Sequence, residues 1–260
     1  MNILVVGKGW VGTKMFSELV IRGHTVAFAS HDQEFDSKSN FDWVINCAGL
    51  TGKPNVDACE KDKKGTIEAN AVYPVLLYEK CKKLNMKFAH FSSGCIYKGE
   101  ITSVNAEPNY FGSIYSISKG ISDSYLSDKA IVFRVRMPFT EVEESKNLLT
   151  KLTNYSKSGK IIEGGPNSIT DLDEAIGVAC DILEKDLEIG PYNLVNKGSV
   201  TTKEIIDLLG LNPDWYTPEE FKNVTAADRS NCTIPAYHKM RDVKEALIHR
   251  VNTLRGNNEN

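Results

Sequence analysis

The sequence predicts an α/β protein built on a doubly wound parallel sheet, and two observations carry that prediction. Short apolar runs alternate with stretches of helical periodicity through the first half of the chain, and the first run passes directly into glycines that open a helix. Repeated strand-helix-strand units of this kind imply parallel strands with helices on both faces.

Taken in order, Asn2-Ile-Leu-Val-Val6 is a buried-type strand ending in glycine, and Trp10 to Arg22 has near-helical apolar spacing stopped by Gly23. Thr25 to Ala29 and Trp43 to Asn46 read as the next strands. A long helix is expected from about Thr66 to Leu84, then a strand over Lys87 to Phe91, a helix over Ser113 to Leu126 and a strand over Ala130 to Arg134. Beyond Arg136 the pattern loosens. Gly159 to Pro166 reads as loop, and Asp171 to Leu183, Thr202 to Leu209 and Lys239 to Val251 read as helices. The tail from Gly256 is expected to fray. The chain is therefore read as one unit. Residues 1–135 form a dinucleotide-binding part, and 136–260 form mostly a small substrate-binding lobe with elements returning to the core.

Composition bounds the function. The 260 residues are 41% hydrophobic and 25% charged, with a net charge of -3 that offers no general attraction for nucleic acid or an acidic membrane. No apolar run approaches the roughly 18 residues of a membrane span. With the first strand at Asn2, no signal peptide is expected. Six scattered cysteines lack metal-type spacing and read as reduced thiols in a cytoplasmic setting. No metal site is expected.

Gly7-Lys8-Gly9-Trp10-Val11-Gly12 lies between the first strand and first helix. Glycine permits the tight turn and close backbone approach to a pyrophosphate, while the helix N-terminus offers free N–H donors. In this setting the motif points to a Rossmann-type fold binding a nicotinamide dinucleotide through Gly7, Gly9, Trp10, Val11 and Gly12. Asn46, Ala48 and Gly49 at the third strand end, with Asn70, are placed along the cofactor. Asp32 has the offset of a ribose-binding acid but falls past the strand end, whereas Ser30 and His31 would face a ribose phosphate. The reading leans to NADPH, with NADH left open.

Tyr115-Ser-Ile-Ser-Lys119 sets a phenol and an ammonium one turn apart on a helix face. The ammonium is expected to bring the phenol towards the working pH range, so that the pair protonates a ketone oxygen while hydride is delivered to its carbon. If the chain stays extended after the fourth strand, Ser93, Cys95 and Tyr97 share one side, making Ser93 a second donor to that oxygen. The alternative for Ser93 is a helix or turn cap, and Cys95, on spacing alone, reads first as a buried apolar thiol.

Together the glycine turn, Ser93, Tyr115 and Lys119 resemble the extended short-chain dehydrogenase/reductases. Nearly end to end the chain is similar to the UDP-4-keto-6-deoxyglucose 3,5-epimerase/4-reductases that complete UDP-L-rhamnose synthesis. More distantly it resembles dTDP-4-dehydrorhamnose reductases and GDP-L-fucose synthases. The stretches that carry the likeness are Asn46 to Glu60, Ser93-Gly-Cys-Ile-Tyr97, Arg134-Val-Arg-Met-Pro138, Asn147 to Leu152, Pro166-Asn-Ser-Ile-Thr170 and Arg229-Ser-Asn231. The glycine turn is one residue shorter than the relatives' pattern, Asp32 stands where they tend to be basic, and the segment from Lys98 to Phe111 is shorter.

The resemblance implies that Ser93 and Tyr115 bind the C4 carbonyl oxygen, and that Lys119 tunes Tyr115 and touches the nicotinamide ribose. It implies Cys95 as an epimerising acid/base with Lys151 opposite. Thr51, Met137 and Pro138 would line a sugar pocket. Arg229 and Asn231 would contact the nucleotide diphosphate, although Arg229 reads equally as a surface ion pair. The implied activity is bifunctional epimerase-reductase, with a nucleotide-sugar substrate and a homodimer left open. Alternatives are action on a UDP-2-acetamido-2,6-dideoxy-4-ketohexose or on dTDP-4-keto-L-rhamnose, or a catalytically idle dinucleotide-binding regulatory subunit.

Overall fold

The computed structural model describes residues 1–258. Six strands form the central sheet: β1 (Asn2–Val6), β2 (Thr25–Ala29), β3 (Trp43–Asn46), β4 (Lys87–Ser93), β5 (Ile131–Val135) and β6 (Gly190–Asn193). Their order is β2-β1-β3-β4-β5-β6 and every pairing is parallel. The chain leaves β1 towards one edge and returns as β3 on its other side. That reversal opens a crevice at the carboxyl ends of β1 and β3, where such sheets bind ligands.

The period of two along β1 explains the layers. Ile3 and Val5 face helix α1 (Trp10–Ile21), through Met15 and Leu19, together with Leu172, Ile176 and Leu183 of a later helix. Leu4 and Val6 face the opposite layer, where Leu77, Cys81 and Leu126 lie. A second core, around Phe139, Leu149, Leu152, Ile161, Ile205 and Leu247, belongs to the C-terminal lobe.

Four local features depart from the sequence reading. The long helix expected from Thr66 to Leu84 is broken into Lys63–Ile67, a π-helical turn Glu68–Val72 and helix α2 (Tyr73–Lys83). Pro74 has no N–H to give the carbonyl four residues back, so the ladder cannot continue in α register there. The Gly159–Pro166 stretch contains a short strand, Lys160–Ile162, paired in parallel with Asp214–Tyr216. Strand β6 has no strong periodicity signal, and its Pro191 is tolerated because β6 lies at a sheet edge. The last helix, Val243–Asn258, starts later than expected and continues past Gly256 instead of fraying there, while Glu259 and Asn260 lie outside the described residues. All six cysteines are unpaired. Among the described residues no helix is long and apolar enough to cross a membrane, and no group of three His, Cys, Asp or Glu could hold a metal ion.

Candidate active site

A cavity of about 830 Å³ runs from the glycine turn to the C-terminal lobe, and the ends of β1, β3, β4 and β5 all open into it. At one end the walls are main chain. Gly7 has φ of +105°, and a Cβ there would lie 2.4 Å from the Ala48 nitrogen. At Gly12 a Cβ would lie 1.9 Å from the Gly7 carbonyl oxygen, so the turn closes on itself only without side chains. A Cβ on Gly9 would meet nothing within 4 Å. Gly9 is also the N-cap of α1 and supplies no side-chain cap, so the first helical N–H groups face the cavity free. This is a cradle suited to a pyrophosphate, and the residues fit a dinucleotide despite the shortened turn. Trp10, Val11, Ala48 and Gly49 line the same end.

The buried Asn46 and Asn70 brace this end from behind. Asn46 Oδ1 accepts from the Ala48 N–H at 3.0 Å, and its amide nitrogen lies 3.1 Å from His90 Nδ1. Asn70, aimed by the π-helical turn, accepts from the Leu50 N–H and donates to the Leu50 carbonyl, each at 2.8 Å. A Cβ on Gly49 would come within 2.9 Å of Asn70 Oδ1 and 3.2 Å of Lys119 Nζ, so glycine lets the lysine reach the β3 end. The ribose-phosphate expectation for Ser30 is not met as drawn. Its hydroxyl donates to Asp32 Oδ1 at 2.5 Å and is absent from the cavity wall, whereas His31 lines it. That hydrogen bond holds the exposed Asp32 carboxyl below its ordinary range.

Helix α3 (Ile114–Leu126) carries Tyr115 and Lys119. Ser113 caps it by accepting from the Ser116 N–H at 3.1 Å, which fixes Tyr115 in the first turn. Tyr115 and Lys119 are only 8% and 5% exposed. The expected lowering of the phenol by the ammonium is not found. Burial dominates and, with Cys95 nearby, raises the Tyr115 phenol well above its ordinary value, while a hydrogen bond with Ser93 works the other way. Lys119 instead donates to the Phe91 carbonyl at 3.1 Å, and burial pulls it down to about 8. One helical turn is not enough for the ammonium to outweigh desolvation of the phenol. The phenol is therefore held neutral, as a proton donor should be.

Ser93 ends β4, but the chain does not stay extended after it. Residues Gly94–Ile96 form a 3-10 turn, with Ser93 accepting from the Cys95 N–H at 3.1 Å. Ser93 is thus a cap as well as Tyr115's partner. Tyr97 turns away and donates to the Ala106 carbonyl at 2.7 Å. Cys95 is half-buried in the cavity wall, where Arg136 Nη1 donates to its sulfur at 3.2 Å.

The lobe supplies the remaining wall. Asn147 caps helix α4 (Leu148–Ser158) by accepting from the Leu149 N–H at 3.0 Å, and Lys151 projects from its first turn into the cavity. Burial, with Lys146 and Arg229 adding, pulls the Lys151 ammonium below its ordinary value. Thr51, Met137, Pro138, Arg229 and Asn231 also line the cavity. Met137 has φ of +43°, a left-handed conformation that costs a non-glycine residue on the order of 1–3 kcal/mol. Arg229 pairs with Asp57 at 2.8 Å and donates to the Ala227 carbonyl at 2.6 Å, which makes it a clamp between lobe and sheet domain. Asn231 accepts from Asn167 at 3.0 Å. The sequence reading passed over Arg136 and Asn167; the matched stretches containing them were the available signal.

Fold and side chains together define an enzyme of the nicotinamide-dependent short-chain reductase class. The chain belongs to the family described as the RmlD substrate binding domain, whose profile matches residues 1–238. It is 30% identical over 282 residues to a bifunctional dTDP-4-dehydrorhamnose 3,5-epimerase/dTDP-4-dehydrorhamnose reductase of Arabidopsis thaliana, a match covering 95% of this chain and 91% of the relative. A trifunctional UDP-glucose 4,6-dehydratase/UDP-4-keto-6-deoxy-D-glucose 3,5-epimerase/UDP-4-keto-L-rhamnose-reductase of the same plant is 30% identical over 283 residues, covering 96% of this chain; the chain spans only 42% of that relative's length. Among solved structures, the UDP-rhamnose synthase of Acanthamoeba polyphaga mimivirus superposes with a TM-score of 0.84 at 26% identity, covering 96% of this chain and 98% of that one. A dTDP-4-dehydrorhamnose reductase of Clostridium acetobutylicum shares the fold, with a TM-score of 0.79 at 20% identity and coverage of 98% and 100%.

Proposed function

We propose that the protein converts UDP-4-keto-6-deoxy-D-glucose to UDP-L-rhamnose, inverting C3 and C5 and reducing C4 in one cavity. One observation carries this reading. Cys95 and Lys151, groups that a simple reductase does not need, line the same cavity as Ser93, Tyr115 and Lys119. The names of the relatives support the substrate class.

Protons at C3 and C5 are acidic because each adjoins the C4 ketone. Removing one places negative charge on the C4 oxygen, which Ser93 and the neutral Tyr115 phenol stabilise as donors. Inversion needs proton removal on one face and delivery on the other, the task assigned to Cys95 and Lys151. For reduction, the Tyr115 phenol gives its proton to the C4 oxygen, and Lys119 holds the positive charge beside it. A reduced nicotinamide dinucleotide, cradled by Gly7 to Gly12 and the β3 end, supplies hydride to C4 when bound. Residues of both 1–135 and 136–260 contribute, so the two parts act as one unit.

Incubating the chain with UDP-4-keto-6-deoxyglucose and NADPH or NADH in deuterium oxide tests the reading. The expected product is UDP-L-rhamnose deuterated at C3 and C5. Cys95→Ala should lose the deuterium while still reducing an already epimerised ketone. Reduced product without ring deuterium from the intact protein would leave a reductase only.

A further inference from the structure

We infer that Arg136 is the positioning residue for Cys95: its guanidinium orients the sulfur and balances the negative charge the sulfur carries once its proton has left. This rests on the epimerase reading for what the thiolate does, and on the cavity wall for the pairing itself. Arg136 is 2% exposed, and among the described residues no carboxylate pairs with it. Buried arginines are ordinarily matched by an anion, because an unbalanced charge in low dielectric is costly.

The partners are unusual. Arg136 Nη2 donates to Asn167 Oδ1 at 2.5 Å and to the Ser230 carbonyl at 2.7 Å, both neutral, and its Nε is buried without a partner. Of the guanidinium's hydrogen-bond partners, the Cys95 sulfur, 3.2 Å from Nη1, is the one able to become an anion. Asn167 is in turn gripped by Asn231 and anchors the Cys232 N–H, so Arg136 cannot swing away. Three stretches remote from one another in sequence, around Cys95, Asn167 and Ser230, thus converge on this one side chain. Each is part of a segment that carries the family likeness. Their shared product is a fixed cation beside a cavity-lining thiol.

Other groups facing the sulfur are Tyr115 and Tyr110, Lys151 from α4, and Cys232. Of these only Lys151 can be a cation, and burial disfavours its charge. In the proton step a C–H bond at C3 or C5 breaks, its electron pair passes to the C4 oxygen, and an S–H bond forms. Arg136 lets the sulfur re-enter the thiolate form afterwards.

The test is the rate of Cys95 alkylation by iodoacetamide at one fixed pH, read by mass spectrometry of the Cys95 peptide, in the intact chain, Arg136→Met, Arg136→Gln and Arg136→Lys. Removing the cation should slow alkylation about tenfold. Arg136→Lys should recover most of that rate, which a merely structural role would not do. Dinucleotide binding checks the fold, and if Arg136→Met does not fold, Arg136→Gln against the intact chain decides. A folded Arg136→Met or Arg136→Gln that alkylates at the intact chain's rate overturns the proposal. Ring-proton exchange, measured separately, tests the epimerase reading: an intact chain that fails to exchange sinks that reading but not the Arg136–Cys95 pairing.

Discussion

The two ends of the cavity are made of different material. The glycine-turn end is built from main chain and from the absence of side chains at Gly7, Gly9 and Gly12, within one short span of sequence, and at Gly49 beyond the third strand. The sugar-facing end is built from side chains of Ser93, Cys95, Tyr115, Arg136 and Lys151, drawn from separate elements and mostly buried. The first end presents shape and free N–H groups, with Lys119 reaching it beside Gly49. The second works by desolvation, which raises Tyr115 and lowers Lys119 and Lys151 in their opposite directions. A defect at the first end should therefore appear in binding, and a defect at the second in turnover.

That contrast can be broken by experiment. The largest effect is expected for Tyr115→Phe, which removes the proton donor and should lower turnover about 10³-fold at unchanged dinucleotide affinity. A matching loss of affinity would show that the two ends are not separable. Gly12→Ala comes next. Its methyl group would sit 1.9 Å from the Gly7 carbonyl, so dinucleotide affinity should fall by about 100-fold, roughly 3 kcal/mol, with a lower Tm. Retained affinity would mean the turn has another way to close.

The pH profile sharpens the comparison further. Lys119 titrates at about 8, so its charge is present below that value and lost above it, and kcat/KM for reduction should fall about tenfold per pH unit on the alkaline side. Tyr115 stays protonated throughout that window, so the limb belongs to the lysine. A profile flat to pH 10 would remove Lys119 from the charged role; the same profile taken with dinucleotide bound reports whether the ligand's own charge moves the limb. The smallest effect is expected at the rim. Asp32→Ala should raise the preference for NADPH over NADH only about fivefold, because the carboxylate is exposed and screened. No change in that ratio would place the ribose phosphate elsewhere.

Legibility followed the same division. The glycine turn could be read because its function depends on residue type at consecutive positions, with no information needed from the rest of the chain. Tyr115 and Lys119 could be paired because helical spacing is local. The direction of the Tyr115 shift could not be read, since it depends on how completely the surrounding elements exclude water. The extended path expected through Ser93 to Tyr97 failed because Ser93 bends the chain by capping Cys95. Asn70 was expected along the cofactor, but the π-helical turn that aims it required knowing where Pro74 interrupts the ladder. Arg229 could be weighed only evenly between two roles until Asp57, far away in sequence, was found opposite it.

By itself the sequence determined the alternation of strand and helix, the glycine turn between the first strand and first helix, and the spacing of Tyr115 and Lys119 on one helix, because each is encoded by neighbouring residues. The tertiary structure alone decided which charges are buried, which partners they meet and that Arg136 stands behind Cys95. Those properties arise from the convergence of distant segments, and desolvation is a property of an environment that no single segment contains.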